Sequence, residues 1–336
     1  MKARTVAVLG GGSWGTALAD VLARNGHQTC IWARDPATAD EIRGQSTNRK
    51  YLPGAQLAES LDCTTDLGQT LEGAEFVLLA CPSHALRGVL GLAEPHLAKP
   101  IVISAAKGIE IGTDLRMSEV IAEVLGQEIL DRFAVFSGPS FADEILRRLP
   151  TAVVAAAASK HTAVEVQDLF QNSYLRVYTQ PDMIGVEFGG SLKNIIALAA
   201  GISDGIRLGS NARAALITRG LAEITRLACR FGAEETTLAG LAGLGDLVLT
   251  CTGDLSRNRT VGLAIGQGEA LEEILAGMRH VVEGVRTAKA AHELAVRHGV
   301  EMPLVEGVYS ILYESVEPHE ALARLMAREP KPERWS

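Results

Sequence analysis

The fold is decided by residues 5–19, which read TVAVLGGGSWGTALA. An apolar, β-branched run, Thr5–Leu9, leads into glycines and then into a helical pattern, so the stretch predicts a strand, a glycine turn and a helix start. Gly10, Gly12 and Gly15 fit G-x-G-x-x-G, in which the glycines serve the tight turn, the approach of backbone to a pyrophosphate and close helix packing, respectively. Backbone N–H groups at the helix start would face the phosphates. The stretch therefore predicts a dinucleotide site.

The neighbours of the glycines strengthen a pattern that is weak on its own. Ala17, Leu18, Val21 and Leu22 recur at the spacing of one helix face. Asn25-Gly26 then predicts the end of that helix. The alternative is a glycine turn in an α/β protein that binds nothing.

Length, charge and cysteine content set the class of protein. The 336 residues suit about two domains. The net charge of −8, with acids and bases interspersed, provides no basic surface for nucleic acid, so we expect no such partner. We find no signal peptide and no run of about 18 apolar residues, and we expect no membrane insertion. Five scattered cysteines without a C-x-x-C pair favour a reducing cytoplasm over disulfides or zinc: Cys30, Cys63, Cys81, Cys229 and Cys251.

The chain divides into two patterns. Up to about Thr179, short apolar runs alternate with helical patterns, which predicts an α/β domain with a mostly parallel, doubly wound sheet. The runs lie at 29–32, 76–80, 101–104, 134–136, 152–157 and 175–178. After Pro181, alanine- and leucine-rich stretches at 192–200, 212–231 and 287–298 predict helices. We therefore predict a Rossmann-like NAD(P)-binding domain, residues 1–185, and an all-helical domain, residues 186–330.

The second strand ends at Arg34-Asp35, beside the predicted dinucleotide site. NAD-specific proteins usually place an acid there for the ribose 2′-OH, whereas an arginine accommodates the 2′-phosphate of NADP. Arg34 therefore allows NADP as well as NAD. The alternative is a solvated surface arginine.

Two lysines are candidates for the chemistry. Lys107 follows an apolar strand and precedes a glycine, a position that points its ammonium into the cleft to hold an anion or transfer a proton. Lys193 is the one cation in a helical stretch of small and apolar residues, 189–200. The alternative for Lys193 is an ammonium that reaches the surface along its aliphatic stem.

A third cluster covers residues 243–252 and 256–259. Arg257 and Asn258 suit an oxyanion, because a planar guanidinium binds phosphate well. Asp246 and Thr250 share one face if this segment is helical. The alternative is a capped helix followed by a polar loop.

Taken together, these motifs resemble the bacterial NAD(P)-dependent glycerol-3-phosphate dehydrogenases. The resemblance runs from about residue 5 to about residue 327. The segments that carry it are 10–19, 106–108, 137–142, 189–194, 211–220, 243–247 and 256–259.

The resemblance implies reversible reduction of dihydroxyacetone phosphate to sn-glycerol 3-phosphate with NAD or NADP. It also implies that the product serves phospholipid synthesis and that the protein is a homodimer, with the helical domain serving substrate binding and dimerisation. It implies that Lys193 is the proton acceptor. Besides the glycine turn, it assigns to the cofactor Ser13, Trp14, Arg34, Lys107, Ala142, Arg257, Val281 and Glu283. It assigns to the substrate Lys107, Gly138, Ser140, Lys193, Asp246, Ser256, Arg257 and Asn258. Trp14 and Arg34 replace the Tyr and His of many members, which bears on cofactor preference.

The chemistry of the reaction agrees with these roles. Hydride transfer to a ketone builds negative charge on its oxygen, and a nearby cation that also gives a proton meets both needs. A free lysine titrates near about 10.4, so Lys193 requires a lowered pKa, which apolar surroundings and Lys107 would supply. Asp246 would orient the ammonium, and Arg257 with Asn258 would anchor the phosphate. No metal is required, and the eight histidines show no H-E-x-x-H spacing.

Two rival functions remain at this stage. One is another two-domain dehydrogenase, acting on a 3-hydroxy acid or 6-phosphogluconate, which would not require the cluster at 256–258. The other is a non-catalytic NAD(P) sensor, which would have no use for Lys193 or Asp246. Glycines 201, 205 and 209 fit either domain motion or close helix packing.

Overall fold

The computed structural model describes residues 2–278 and 282–333. An eight-stranded sheet occupies the first half of the chain, in the order β3-β2-β1-β4-β5-β6-β7-β8. Neighbouring strands are parallel except for the antiparallel pair β6 and β7. The strands are β1 (Thr5–Leu9), β2 (Gln28–Trp32), β3 (Asp62–Thr64), β4 (Phe76–Leu79), β5 (Ile101–Ser104), β6 (Phe133–Ser137), β7 (Thr151–Ala156) and β8 (Leu175–Gln180).

Helices connect the strands and form all the regular structure of the second half within the described residues. Those of the first half are α1 (Ser13–Arg24), α2 (Pro36–Gln45), α3 (Leu67–Leu71), α4 (Leu86–Ala93), α5 (Met117–Leu125), α6 (Ala142–Leu146) and α7 (Lys160–Phe170). Those of the second half are α8 (Met183–Gly205), α9 (Gly209–Arg230), α10 (Glu235–Leu238), α11 (Asp246–Thr252), α12 (Arg257–Gly266), α13 (Leu271–Gly277), α14 (Glu283–His298), α15 (Pro303–Tyr313) and α16 (Pro318–Met326).

The predicted doubly wound sheet followed by helices is confirmed. All six predicted strands beyond β1 are present, with ends shifted by up to two residues. The strand missing from the prediction is β3, because its three residues include a single apolar side chain, Cys63. The predicted boundary at residue 185 falls in the first turn of α8 and stays a prediction.

The sheet aligns the carboxyl ends of its central strands. Leu9 pairs with Trp32 on one side and with Leu79 on the other, and Leu79 pairs with Ser104. Because these four strands are parallel and end in register, the residues that follow them lie along one edge. That edge carries the glycine turn, Arg34 and Lys107.

α8 is the central helix of the second half, and every residue from Gly185 to Ser203 is buried. By length and composition α8 could cross a membrane, yet 89% of its most apolar window is buried inside the protein. Helices α9, α11, α12 and α14 pack around it. Its apolar character is that of a core helix.

α8 and α12 pack backbone against backbone through four glycines. A Cβ added to Gly201 would lie 2.1 Å from the carbonyl oxygen of Arg259, and one added to Gly262 would lie 2.2 Å from that of Leu198. Gly205 and Gly266 continue the contact one turn later. Close packing is therefore the structural role of Gly201 and Gly205, whereas Gly209 begins α9 with a φ of +84°.

Candidate active site

The glycine turn after β1 has the geometry that the sequence predicts. Gly10 has a φ of +133°, and a Cβ there would lie 2.8 Å from the backbone of Ala80 at the end of β4. A Cβ on Gly15 would lie 2.0 Å from the carbonyl oxygen of Gly10, so this glycine permits α1 to pack on the turn. Gly12 faces open space, since no protein atom lies within 4 Å of a Cβ built there. This cradle fits a pyrophosphate approaching the N-terminus of α1.

The loop after α2 holds the glycine turn in place. The buried side chain of Asn48 donates hydrogen bonds from Nδ2 to the Gly11 carbonyl at 3.0 Å and to Thr16 Oγ1 at 2.9 Å. Ser13 Oγ donates to the Tyr51 carbonyl at 3.0 Å. Trp14 is partly buried against the core of the sheet domain. Asn48 was not predicted, because a lone asparagine in a polar loop gives no sequence signal.

Arg34 and Asp35 follow β2 and have different surroundings. Asp35 caps α2, accepting from the Ala37 N–H at 3.2 Å and from Thr38 Oγ1 at 2.9 Å. It also forms an ion pair with Lys50 at 2.9 Å. Arg34 is solvent-exposed at the sheet edge. Asp35 is thus engaged in capping α2, and Arg34 is the exposed group beside it.

Lys107, Lys193 and Asp246 converge on one buried point between the sheet and the helices. Lys107 Nζ lies 2.7 Å from Asp246 Oδ2, and Lys193 Nζ hydrogen-bonds to Asp246 Oδ1. Lys193 Nζ also donates to Thr250 Oγ1 at 2.9 Å. Thr250 Oγ1 in turn donates to the Asp246 carbonyl at 2.6 Å, one helical turn away on α11. The predicted shared face of Asp246 and Thr250 is confirmed.

Burial changes the acidity of Lys193. Loss of hydration lowers its pKa from the usual 10.5 to about 8, with Lys107 as a further lowering influence and Asp246 opposing both. The predicted causes, apolar surroundings and a second cation, are therefore the ones present. A lysine with this pKa exchanges a proton near neutral pH.

The cluster at the start of α12 combines capping groups and one exposed cation. Ser256 is the N-cap, and its Oγ accepts from the Arg259 N–H at 3.3 Å. Asn258 Nδ2 donates to Asn194 Oδ1 on α8 at 2.9 Å, and Asn258 Oδ1 accepts from the Gly284 N–H at 3.0 Å. Arg257, the first residue of α12, is solvent-exposed. The capped helix is therefore present, with Arg257 at its first position, and the binding of an oxyanion by Arg257 and Asn258 stays a prediction.

The turn after β6 contributes backbone to the same region. Gly138 has a φ of +143°, and a Cβ there would lie 2.9 Å from Val153 Cα. Its carbonyl accepts from Lys107 Nζ at 3.3 Å and from Ser140 Oγ at 3.1 Å. Ala142 begins α6 directly after this turn.

Glu283 connects the helical half to the sheet edge. At the start of α14, its carboxylate accepts from the Ser83 N–H at 3.3 Å and from Ser83 Oγ at 2.7 Å. Ser83 follows β4, the strand next to β1 and its glycine turn. Val281 lies outside the described residues.

Fold and site together are typical of the two-domain, dinucleotide-dependent dehydrogenases, in which a sheet domain holds the cofactor and a helical domain brings a lysine to it. Sequence models of the NAD-dependent glycerol-3-phosphate dehydrogenases match the chain, the N-terminal model over residues 5–163 and the C-terminal model over residues 182–323. The chain belongs to this family.

Individual relatives support this family assignment. The glycerol-3-phosphate dehydrogenase (NAD(P)+) of Syntrophotalea carbinolica is 53% identical, over 98% of this chain and 99% of the relative. The glycerol-3-phosphate dehydrogenase (NAD(P)+) of Geobacter sp. (strain M21) is 52% identical, over 98% of this chain and 99% of the relative. The crystal structure of a glycerol-3-phosphate dehydrogenase from Coxiella burnetii superposes with a TM-score of 0.92 at 44% identity, covering 97% of this chain and 99% of that one.

Proposed function

We propose that this chain catalyses the reversible reduction of dihydroxyacetone phosphate to sn-glycerol 3-phosphate with NADH or NADPH. The observation that carries the proposal is the buried carboxylate of Asp246 bound by both Lys107 and Lys193, in a chain of this family. Family membership supports the substrate, and the burial and lowered pKa of Lys193 support its role as the proton donor.

Lys193 is the acid in the direction of reduction. When bound, the nicotinamide cofactor supplies the hydride that the ketone carbon accepts. The Lys193 ammonium stabilises the negative charge on the carbonyl oxygen and then donates the proton that makes it a hydroxyl. In the reverse direction the neutral amine accepts that proton. Asp246 orients the ammonium, and Thr250 holds a second of its hydrogens.

The phosphate end of the substrate binds at the start of α12. Arg257 supplies a guanidinium, and Ser256 and Asn258 complete the turn from which it extends. Gly138 and Ser140 line the opposite side, where Lys107 lies. Because the phosphate is anchored away from the reacting carbon, its binding energy orients the ketone toward Lys193.

The edge of the sheet would hold the cofactor. Gly10, Gly12 and Gly15, with Ser13 and Trp14, would hold the pyrophosphate, and Arg34 would bind the 2′-phosphate of NADP. Ala142, Lys107, Arg257 and Glu283 would line the nicotinamide side; Val281, which the resemblance also assigns to the cofactor, lies outside the described residues. Both NAD and NADP fit this arrangement, since NAD places only hydroxyls before Arg34.

The biological setting follows from the product and the chain. We propose that the enzyme supplies glycerol 3-phosphate for phospholipid synthesis, in the cytoplasm and as a homodimer of two-domain chains divided near residue 185. All five cysteines are free thiols, which agrees with a reducing compartment.

Absorbance of NADPH, and separately of NADH, tests the function directly. Purified protein should oxidise either cofactor rapidly with dihydroxyacetone phosphate and not with a 2-keto acid, nor reduce NAD(P)+ with 3-hydroxy acids or 6-phosphogluconate. Turnover of those compounds instead would show a different dehydrogenase. Tight cofactor binding without any turnover would show a sensor.

A further inference from the structure

We propose that Asp204 and Arg259 are positioning residues for the phosphate group of the substrate, acting through α12 without touching the substrate. The inference rests on the proposed function and extends it to two residues to which no sequence motif assigns a role.

Asp204, in the last turn of α8, is held between two arginines. Its Oδ1 accepts from Arg213 Nε at 2.9 Å and lies 2.7 Å from Arg213 Nη2. Its Oδ2 accepts from Arg259 Nε at 3.0 Å and lies 2.9 Å from Arg259 Nη2. The side chain is only 8% exposed. Each guanidinium therefore brackets one oxygen with two nitrogens, which fixes both arginines in orientation as well as in distance.

Arg259 belongs to the turn that would bind the phosphate. Its N–H donates to the N-cap Ser256, and its side chain extends to Asp204, so backbone and side chain are both engaged. Arg257 and Asn258 lie between Ser256 and Arg259 in sequence. Any tilt of the first turn of α12 that moves Arg257 also stretches the Arg259 bonds to Asp204.

α8, against which α12 packs, carries Lys193, the proposed proton donor. Asn194 follows Lys193 on α8 and accepts the hydrogen bond of Asn258 on α12 at 2.9 Å. Asp204 lies eleven residues after Lys193, which is about 16 Å along the helix. The Asn194–Asn258 bond and the Asp204–Arg259 ion pair thus attach the first turn of α12 to two separate levels of α8.

The glycine contacts limit how α12 can move relative to α8. Gly201 and Gly262 leave no space between the two backbones, so α12 cannot move toward α8. Motion outward or along α8 remains, and it is this motion that the ion pair opposes. Because Arg257 extends from α12 and Lys193 from α8, the position of α12 on α8 sets the span from Lys193 to the phosphate turn, which must match the span from carbonyl to phosphate in the substrate.

The chain offers a matched control for the ion pair. Arg259 Nη1 also binds Asp254 Oδ1 at 3.0 Å, but Asp254 is 97% exposed. An exposed pair of this kind contributes little to structure. Removing the Asp254 charge therefore perturbs the same arginine without releasing α12 from α8.

The experiment compares Asp204→Asn, Arg259→Lys and Asp254→Asn with the parent, using dihydroxyacetone phosphate and the phosphate-free dihydroxyacetone as substrates. For Asp204→Asn we expect KM for dihydroxyacetone phosphate to rise about tenfold, with kcat within about twofold of the parent. We expect kcat/KM for dihydroxyacetone and the Kd of NADPH to be unchanged. Arg259→Lys keeps the positive charge but loses the paired nitrogens of the guanidinium. It should also raise KM for dihydroxyacetone phosphate, by less than Asp204→Asn does. Asp254→Asn should match the parent.

Equal losses of kcat/KM on the two substrates, or an unchanged KM for dihydroxyacetone phosphate in both Asp204→Asn and Arg259→Lys, would overturn the inference. Thermal melting establishes that each variant is folded. If Asp204→Asn does not fold, Arg259→Lys decides alone. A parent enzyme that fails to reduce dihydroxyacetone phosphate would instead refute the proposed function, so the two failures are distinct.

Discussion

Lys107, from the loop after β5, and Lys193, from the middle of α8, bind different oxygens of one carboxylate, that of Asp246. The sheet half and the helical half therefore each bring a cation to the same buried acid. Two ammonium groups and one carboxylate leave an excess positive charge at this point when both lysines are protonated. This excess favours release of a proton from Lys193, the more buried lysine.

The pH dependence of the two directions of reaction should follow from this arrangement. Burial favours the neutral amine and lowers the pKa of Lys193 to about 8. Reduction needs the ammonium, so kcat for dihydroxyacetone phosphate should fall as pH rises through about 8. Oxidation of glycerol 3-phosphate needs the amine, so its kcat should rise over the same range. Steady-state kinetics in both directions measure the pH dependence of kcat. The range from about pH 6 to about pH 10 covers about two units on either side of the pKa of Lys193.

Replacing Lys107 should move that profile. Lys107→Met removes a nearby positive charge that lowers the pKa of Lys193, so the midpoint should move to higher pH while activity falls. Lys160→Met, at the exposed start of α7, serves as the control and should leave the midpoint in place. A profile that stays fixed in Lys107→Met would contradict the assignment of the midpoint to Lys193.

Cofactor preference should depend on Arg34. Arg34→Ala removes the cation that we propose binds the 2′-phosphate, whereas Asp35 stays engaged in capping α2. We expect KM for NADPH to rise at least about tenfold and KM for NADH to change by less than about twofold. Initial rates with each cofactor at saturating dihydroxyacetone phosphate measure both. Equal changes in the two values would show that Arg34 does not read the phosphate.

Asn48 should affect both cofactors alike. Asn48→Ala removes the hydrogen bonds to Gly11 and Thr16 and so loosens the turn under the pyrophosphate, which NADH and NADPH share. We expect Kd for both to rise about tenfold, which corresponds to about 1.4 kcal/mol, the scale of one buried hydrogen bond. Fluorescence titration measures it. Asn25→Ala, which loses a hydrogen bond to the Leu169 carbonyl, is the control, and a comparable weakening there would argue against a specific role for Asn48.

Stability should depend on the glycine contacts between α8 and α12. Gly201→Ala places a methyl group 2.1 Å from the Arg259 carbonyl oxygen, and we expect a loss of about 1–3 kcal/mol or more in the free energy of unfolding. Gly88→Ala, in the exposed part of α4 with no atom near the new methyl, should be neutral or gain about 0.4–1 kcal/mol. Urea denaturation of both variants measures the difference. A Gly201→Ala protein as stable as Gly88→Ala would show that the contact can open at little cost.

Much of this site could be predicted from the sequence because its signals are local. The glycine turn is a backbone requirement, and Gly10 and Gly15 meet it through a positive φ and a close contact. Lys193 is conspicuous as a charge within an apolar helix, and burial is what lowers its pKa. Family resemblance added the residue roles, which the experiments above test.

The remaining features arise from tertiary contacts between distant segments. Asn48 reaches Gly11 across 37 positions and Asp204 reaches Arg259 across 55, and no local pattern distinguishes them from other polar residues. The sequence pattern does not predict β3, because its pairing with β2, rather than its own composition, makes it a strand. The role of Asn258 likewise depends on Asn194, which belongs to another helix.

The most direct test of the account is the turnover of Lys193→Met with dihydroxyacetone phosphate and NADPH, measured together with the Kd of NADPH. Methionine keeps the buried aliphatic stem, and Lys107 still neutralises Asp246, so the variant should fold. The account predicts that kcat falls by at least about 100-fold while the Kd stays within about twofold of the parent. Turnover close to that of the parent would contradict the role of Lys193 as the proton donor.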